Sequence, residues 1–249
     1  MIKLNADLGE SFGVYKLGVD EKIMPLIDMA NIACGFHAGD ANVMEKTVKL
    51  AKENNVEIGA HPGYPDLLGF GRRSLNCSPK EIENYVLYQV GALNSFCTKH
   101  QSKVSYIKPH GALYNDMMKN KEIFEAILTA SSILNLPLMI LSSSKNEEYE
   151  NIAKKYKVKL IFEVFADRNY TNDGFLVSRK KKNAVIENKN EILKRVEMFK
   201  NGYILSENSK VIKLKVDSIC VHGDNKKALE IVKSIKEVLW NLKLQELIV

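Results

Sequence analysis

The sequence predicts an α/β fold in which seven parallel βα units close into one TIM-like barrel. Short apolar runs alternate with longer segments of helical period, which is the pattern of a parallel sheet covered by helices. Seven such runs recur along the chain, and its 249 residues are a usual length for one barrel. We therefore expect residues 1–249 to form a single (β/α) barrel domain.

The strand predictions rest on short runs rich in Val, Ile, Leu and Ala. Apolar and polar residues alternate in MIKLNADLGE, so Leu4 and Ala6 lie on one face of the first strand, and Asn5 and Asp7 lie on the other. We place the strands at residues 2–7, 30–36, 56–61, 104–109, 137–142, 159–164 and 217–222.

The helix predictions rest on capping residues and on apolar spacing. Ser78 is a typical N-cap residue, Pro79 follows at the first helical position, and Glu81 completes a capping box. Residues 41–53 and 226–239 carry apolar side chains at helical spacing, which predicts two further helices that pack on the core.

The segment 165–216 follows the alternating pattern less closely. Its stretches RNYTNDG and ENSK indicate turns between short extended pieces. Because apolar segments continue on both sides, we interpret this segment as an insertion within the barrel.

Composition and charge exclude several classes of protein. No apolar run reaches the roughly 18 residues of a membrane span, so we expect no membrane contact. The net charge is +6, but the dense basic run SRKKKN has no interleaved aromatic residues, so we expect no nucleic-acid partner. The start of the chain lacks the pattern of a secretory signal, and the four cysteines lack C-x-x-C spacing. These features predict free thiols and a cytoplasmic location.

Titratable residues gather where the predicted strands end. Four of the five histidines stand at such positions, whereas His100 lies in a helix tail. The carboxyl ends of the strands of a βα barrel meet at one mouth, so we expect these side chains to line one cleft. The predicted cleft residues are Asn5, Asp7, His37, His61, Lys108, His110, Glu163 and His222.

Carboxylates, imidazoles and cations in one cleft suit acid–base hydrolysis of an anionic small molecule. Asp7, His37 and His61 are also a ligand set that zinc or manganese accepts, so a divalent metal is an open alternative. Asp40 fits equally well as the N-cap of the next helix or as a site residue. The stretch GFGRRS lacks the spacing of a phosphate-binding loop, and the sequence contains no such loop elsewhere.

Six segments together resemble the LamB/YcsF family, in order and across almost the whole chain. They are LNADLGE, ANIACGFHAGD, GAHPGYPDLLGFGRRS, KPHGALYN, EVFADRNY and CVHGD. The one departure at these motifs is Ser11, which stands where the family usually has glycine. The resemblance implies a seven-stranded barrel related to glycoside hydrolases and polysaccharide deacetylases. It also implies a part in the ATP-dependent hydrolysis of 5-oxoproline to glutamate, together with two other subunits, B and C.

We expect ATP to be consumed by that complex, with much of the nucleotide chemistry in the partner subunits. Asp7 with His37 or His61 would activate water, and Lys108 and His110 would stabilise the developing negative charge. Arg73 or Arg168 would hold the substrate carboxylate or a phosphate. The other predicted substrate-binding residues are Asn5, Glu163, Asp167, His222 and Asp224.

Three alternatives stay open at this point. A metal-dependent amidohydrolase or deacetylase that acts alone would use the same strand-end residues. A non-catalytic subunit that binds a lactam for others would need them only as contacts. Nucleophilic catalysis by Cys220, which faces inward, lacks support because no sequence feature marks this thiol as activated.

Overall fold

A computed structural model describes residues 2–179, 181–221 and 228–246 of the chain. Seven parallel strands form a closed barrel, in which the first strand pairs with both the second and the last. This arrangement confirms the predicted fold class. The barrel strands are β1 (Lys3–Leu8), β2 (Met29–Ala33), β3 (Glu57–His61), β4 (Val104–Ile107), β5 (Leu138–Leu141), β6 (Leu160–Phe165) and β9 (Ser218–Val221).

Helices cover the outside of the barrel, and a two-stranded antiparallel hairpin forms a separate small sheet. The helices are α1 (Asp20–Ile23), α2 (Ala41–Glu53), α3 (Pro79–Lys99), α4 (Gly111–Met117), α5 (Lys121–Leu134), α6 (Asn146–Lys155), α7 (Lys189–Lys200) and α8 (Ala228–Glu246), with a 3₁₀ turn at Met24–Leu26. The hairpin strands are β7 (Tyr203–Leu205) and β8 (Val211–Lys213). Among the described residues, no helix is both long and apolar enough to span a bilayer.

The observed N-caps explain why the starts of α2 and α3 were predicted accurately. The Ser78 side chain accepts a hydrogen bond from the Glu81 backbone, and the Glu81 side chain accepts one from the Ser78 backbone, so α3 begins with the predicted capping box. The Asp40 carboxylate accepts hydrogen bonds from the Asn42 and Val43 backbones and caps α2. Asp40 is therefore the N-cap, which is one of its two predicted roles.

The insertion is more regular than the sequence indicated. It contains α7 and the β7–β8 hairpin, and ENSK forms the turn of that hairpin, as predicted. The C-terminal helix α8 starts near the predicted position and continues to Glu246, beyond the predicted end.

The barrel strands bury both of their faces. Outward residues such as Leu4, Ala6 and Leu8 belong to the main apolar core. A separate apolar cluster of Met29, Tyr106 and Met139 lies inside the barrel. The residues that follow Met29 and Tyr106 on the inner face are the polar Asn31 and Lys108, so the interior beside these two strands changes from apolar to polar toward their carboxyl ends.

Candidate active site

Strand register brings the first polar residues together. Asp7 of β1 is paired in register with Asn31 of β2. The Asn31 amide donates hydrogen bonds to Asn5 Oδ1 at 2.7 Å and to Asp7 Oδ1 at 2.8 Å. The Tyr106 hydroxyl donates to Asn31 Oδ1 at 2.7 Å, and Asn5 Nδ2 donates to Ser218 Oγ at 2.8 Å. This network fixes the orientation of the Asp7 carboxylate.

Glycine is needed beside this network. A Cβ atom added to Gly59 would lie 2.2 Å from the ring of Tyr106. Gly59 therefore provides the space that lets Tyr106 reach Asn31 across the barrel.

Lys108 lies at the centre of the polar interior. Its ammonium is 2.8 Å from Asp7 Oδ1 and 2.8 Å from Glu163 Oε1, and its side chain is only 3% exposed. Burial opposes the charge, but the two carboxylates raise the pKa of Lys108 well above its ordinary value. The site thus holds a permanent cation between two carboxylates.

Glu163 has a second fixed partner. The Tyr114 hydroxyl, from α4, donates a hydrogen bond to Glu163 Oε2 at 2.9 Å. Burial raises the pKa of Tyr114 well above its ordinary value, and the Glu163 charge adds to the shift. Tyr114 therefore keeps its proton and remains a donor.

Three histidines meet at the mouth, above this network. His61 Nδ1 lies 2.7 Å from the Lys108 carbonyl oxygen, and His110 Nε2 lies 2.9 Å from the Phe70 carbonyl oxygen. The remaining nitrogens, His61 Nε2 and His110 Nδ1, are 3.0 Å apart. The His37 ring stacks on the His110 ring with centroids 3.7 Å apart.

The three imidazoles are well shielded from water. Burial holds the pKa of His37 well below its ordinary value, and the neighbouring His110 and His61 add to the shift. Burial, with His61 nearby, likewise lowers the pKa of His110 to about 3. His37 and His110 are therefore neutral imidazoles near pH 7.

The loop after β3 packs directly on these rings. Gly71 has a φ of +62°, and a Cβ atom there would lie 2.6 Å from His37 Cβ and 2.8 Å from His110 Cδ2. A glycine is required both by the backbone conformation and by the close approach of the rings.

A group of four residues has the geometry to bind a metal ion. One ligand atom each from Glu10, His37, His61 and His110 lies within 4.8 Å of the others. The sequence predicted His37 and His61 in such a group but also Asp7, which instead contacts Asn31 and Lys108. Glu10 has no predicted role. The sequence feature that could have identified Glu10 is its position directly after Gly9, whose φ of +71° turns the chain at the end of β1.

Asp7 still borders this group, since its Oδ2 lies 3.4 Å from His61 Nε2. Sequence reasoning also gave no role to Tyr106 and Tyr114, because aromatic residues within apolar strands and helices are typical of a core. Only the closed barrel shows that their hydroxyls reach Asn31 and Glu163.

Two predicted arginines are engaged elsewhere. The Arg73 guanidinium pairs with the Asp66 carboxylate, and its side chain is 64% exposed. Arg168 is buried and donates to the backbone carbonyls of Ala184 and Val177, so it anchors the insertion. Their observed contacts are therefore structural, with protein groups as partners.

The remaining predicted residues have different outcomes. Asp167 lies two residues beyond β6 and is partly buried, close enough to Cys220 to affect the pKa of that thiol. His222 and Asp224 lie outside the described residues. All four cysteines are free thiols, as predicted.

Cys220 faces the polar interior, 3.2 Å from the Lys108 ammonium. Burial raises the pKa of its thiol well above the ordinary value, although Lys108 acts in the opposite direction. The thiol is therefore protonated and is a poor nucleophile.

Ser11, the departure from the usual family pattern, has a local structural role. Its hydroxyl accepts a hydrogen bond from the Leu17 backbone N–H at 2.9 Å and contacts the Leu17 carbonyl at 3.2 Å. The substitution thus adds a link within the loop that follows β1.

Comparisons with known proteins agree with this geometry. The chain matches the LamB/YcsF family over residues 2–247. It is 51% identical over 240 residues to the A subunit of 5-oxoprolinase from Vibrio campbellii, covering 96% of each chain. It is 54% identical over 243 residues to the A subunit of 5-oxoprolinase from Pyrococcus abyssi, covering 96% of this chain and 93% of the relative. It superposes on the crystal structure of a lactam utilization protein from Thermus thermophilus with a TM-score of 0.89, 36% identity and 97% coverage of both chains.

Proposed function

The chain belongs to the LamB/YcsF family, and from this premise we propose that it is the A subunit of an ATP-dependent 5-oxoprolinase. In this role it hydrolyses 5-oxo-L-proline to L-glutamate in a complex with subunits B and C. We infer the reaction from the relatives, which are named as the A subunit of 5-oxoprolinase. The observation that carries the proposal is the buried array of Asp7, Lys108 and Glu163 at the barrel mouth, beside His61.

This array suits the chemistry of a lactam. Hydrolysis requires a base that takes a proton from water, a cation near the oxygen that gains negative charge, and a proton for the leaving nitrogen. The Asp7 carboxylate is oriented by Asn31 and acts as the base. The Lys108 ammonium stabilises the negative charge that develops on the oxygens bound to the reacting carbon. The proton that Asp7 receives from water returns to the ring nitrogen as the C–N bond breaks.

ATP enters the reaction because an unactivated lactam is a poor electrophile. Transfer of the terminal phosphoryl group to the lactam oxygen, with release of ADP, would make the ring carbon susceptible to water. Cleavage of the C–N bond then leaves an acyl phosphate, which a second water hydrolyses to glutamate and inorganic phosphate. The sequence has no phosphate-binding loop of the G-x-x-x-x-G-K-[ST] kind, so we assign the nucleotide chemistry to the partner subunits. We place the complex in the cytoplasm, where four free thiols are stable.

Exposed apolar residues beside the mouth support the need for partners. Val14 and Tyr15 in the loop after β1, and Leu68 in the loop after β3, are 89%, 77% and 96% exposed. Apolar side chains grouped on loops near a site are typical of an interaction surface. A partner that covers the mouth would bury them and exclude water from the reaction.

The test is to incubate the purified chain with 5-oxoproline, ATP and magnesium, and to measure glutamate and ADP. We expect neither product from the chain alone, and equal amounts of both once subunits B and C are added. Stoichiometric glutamate and ADP from the chain alone would contradict the proposed division of labour.

One observation favours a second candidate function. The donor group of Glu10, His37, His61 and His110 is the kind of site that a metal-dependent amidohydrolase or deacetylase uses. Such an enzyme would hydrolyse its amide without ATP and without partners once loaded with zinc or manganese. ATP-independent turnover by the loaded chain alone would favour this function over the first.

A non-catalytic component that only binds the lactam is the third candidate. Such a component would tolerate Asp7→Asn and His61→Gln with the activity of the complex unchanged. Loss of turnover with retained 5-oxoproline binding would exclude it.

A further inference from the structure

Two histidine nitrogens face each other closely at the barrel mouth. His61 Nδ1 and His110 Nε2 each contact a backbone carbonyl oxygen, which can only accept, so both nitrogens carry a proton. The opposite ring nitrogens, His61 Nε2 and His110 Nδ1, then face each other at a separation of 3.0 Å. A proton or a metal ion between these two nitrogens would bind to both of them.

The surroundings favour a metal ion over a proton. Glu10 Oε1 lies 3.7 Å from His110 Nδ1 and 3.7 Å from His37 Nε2. His37 is fully buried, and within the described part of the chain neither of its ring nitrogens has a hydrogen-bond partner. Asp7 Oδ2 also borders the group, 3.4 Å from His61 Nε2. A shared proton would bridge only two of these atoms, whereas one metal ion can bind several that converge on it.

Ring orientation decides which residues are ligands. The His61 and His110 rings are nearly perpendicular, at 89°, so one ion can lie in the planes of both. The His37 and His110 rings are parallel and 3.7 Å apart, so an ion in the plane of His110 lies outside the plane of His37. We propose that Glu10, His61 and His110 bind a divalent transition metal ion, with a fourth coordination position that faces His37.

The two ligand separations that involve His110 fit this assignment. Metal–ligand bonds of about 2.0–2.1 Å in a tetrahedral site place neighbouring ligand atoms about 3.3 Å apart. The observed separations, 3.0 Å between the two histidines and 3.7 Å between His110 and Glu10, lie on either side of that value.

The outer contacts are those of ligating histidines. Each of the two rings donates its other N–H to a backbone carbonyl, from Lys108 or Phe70, which fixes both its tautomer and its orientation. Two imidazoles and one carboxylate suit zinc, iron or manganese better than magnesium or calcium, which prefer oxygen ligands. Three protein ligands leave the fourth position to an oxygen of water or of a substrate.

This site does not depend on the proposed lactam reaction, because metal binding is measured without substrate or partner subunits. The test removes metal from the purified full chain with a chelator and titrates it with Zn²⁺ against a chromophoric chelator, with Mg²⁺ as a comparison. We expect one Zn²⁺ per chain and no competition from Mg²⁺. Loss of a hydrogen bond that supports a ligand costs about 10–100-fold in metal affinity. Glu10→Gln and His110→Gln each remove a ligand itself, so either variant should weaken Zn²⁺ binding by about 100-fold or more.

Two control variants sharpen the result. His100→Gln removes a histidine that contacts Glu45 at the end of α3, and it should bind Zn²⁺ as the wild type does. Asp7→Asn should also retain the metal, whereas its loss there would contradict the assignment of Glu10 as the carboxylate ligand. The absence of stoichiometric Zn²⁺ binding by the wild type overturns the proposal, and this result does not depend on the folding of any variant.

Discussion

The two faces of the barrel strands carry opposite chemistry, although they alternate residue by residue. In β1, Leu4, Ala6 and Leu8 face outward and join the main apolar core. Asn5 and Asp7 face inward and bond to Asn31 and Lys108. A single strand therefore contributes to the packing of the fold and to the chemistry of the site at the same time.

The two faces differ in what their burial requires. An outward aliphatic side chain needs only neighbours of suitable volume. An inward polar side chain needs a specific partner for each donor and acceptor, because an unpaired buried polar group is costly. Substitutions on the outer face should therefore reduce stability, and isosteric substitutions on the inner face should reduce activity while the fold is kept.

The largest effect is expected from Asp7→Asn. The asparagine keeps the shape of the side chain but cannot accept a proton from water, and a general base contributes about 10²- to 10⁴-fold to the rate. We expect glutamate formation by the complex with subunits B and C to fall by that factor. Circular dichroism should be unchanged, because Glu163 still pairs with Lys108. Turnover near that of the wild type would exclude Asp7 as the base.

Much of the inner face could be predicted from the sequence. Alternation along β1 placed Asn5 and Asp7 on one face, and each of the seven predicted strands overlaps an observed strand. Because parallel strands of a closed barrel end at one mouth, the strand-end residues His37, His61 and His110 meet as expected.

The features that sequence analysis did not predict lie in loops and on helices. Glu10 lies beyond the end of β1, where alternation no longer applies and the direction of the chain is set by Gly9. Arg73 and Arg168 remain predicted substrate contacts, but a sequence does not show their partners in the fold, which are Asp66 and backbone carbonyls. The helix α7 was missed because turn residues dominate the insertion, and the extended pieces around ENSK were predicted without their pairing into the β7–β8 hairpin.

The matched change on the outer face is Leu4→Ala. Leu4 is 1% exposed within the main core, and a buried Leu→Ala substitution typically costs about 2–5 kcal/mol. We expect the free energy of unfolding, measured by urea titration, to fall by this amount. The kcat of the folded protein should stay close to that of the wild type. A large loss of kcat at full folding would contradict the separation between the two faces.

Tyr114→Phe tests the border between the faces, since Tyr114 comes from α4 but reaches the inner residue Glu163. A hydrogen bond to a charged group contributes about 1.5–3 kcal/mol. We expect a loss of stability in this range together with a loss of activity, because Glu163 positions Lys108. Thermal unfolding and glutamate formation, measured on the same preparation, check both parts. A change in neither quantity would show that the bond contributes nothing.

The smallest effect is expected from Cys220→Ala, which tests whether an inward position alone makes a residue catalytic. The Cys220 thiol is 3.2 Å from the Lys108 ammonium, but it is fully buried and burial raises its pKa well above the ordinary value. A protonated thiol without a base to activate it does not attack a carbonyl, and Lys108 keeps Asp7 and Glu163 as partners when the sulfur is removed. Activity should therefore fall by less than about tenfold, because a thiol sulfur is only a weak hydrogen-bond acceptor for the Lys108 ammonium. Loss of all activity in a folded Cys220→Ala variant would instead identify the thiol as the nucleophile, with Asp7 and Lys108 acting to ionise it.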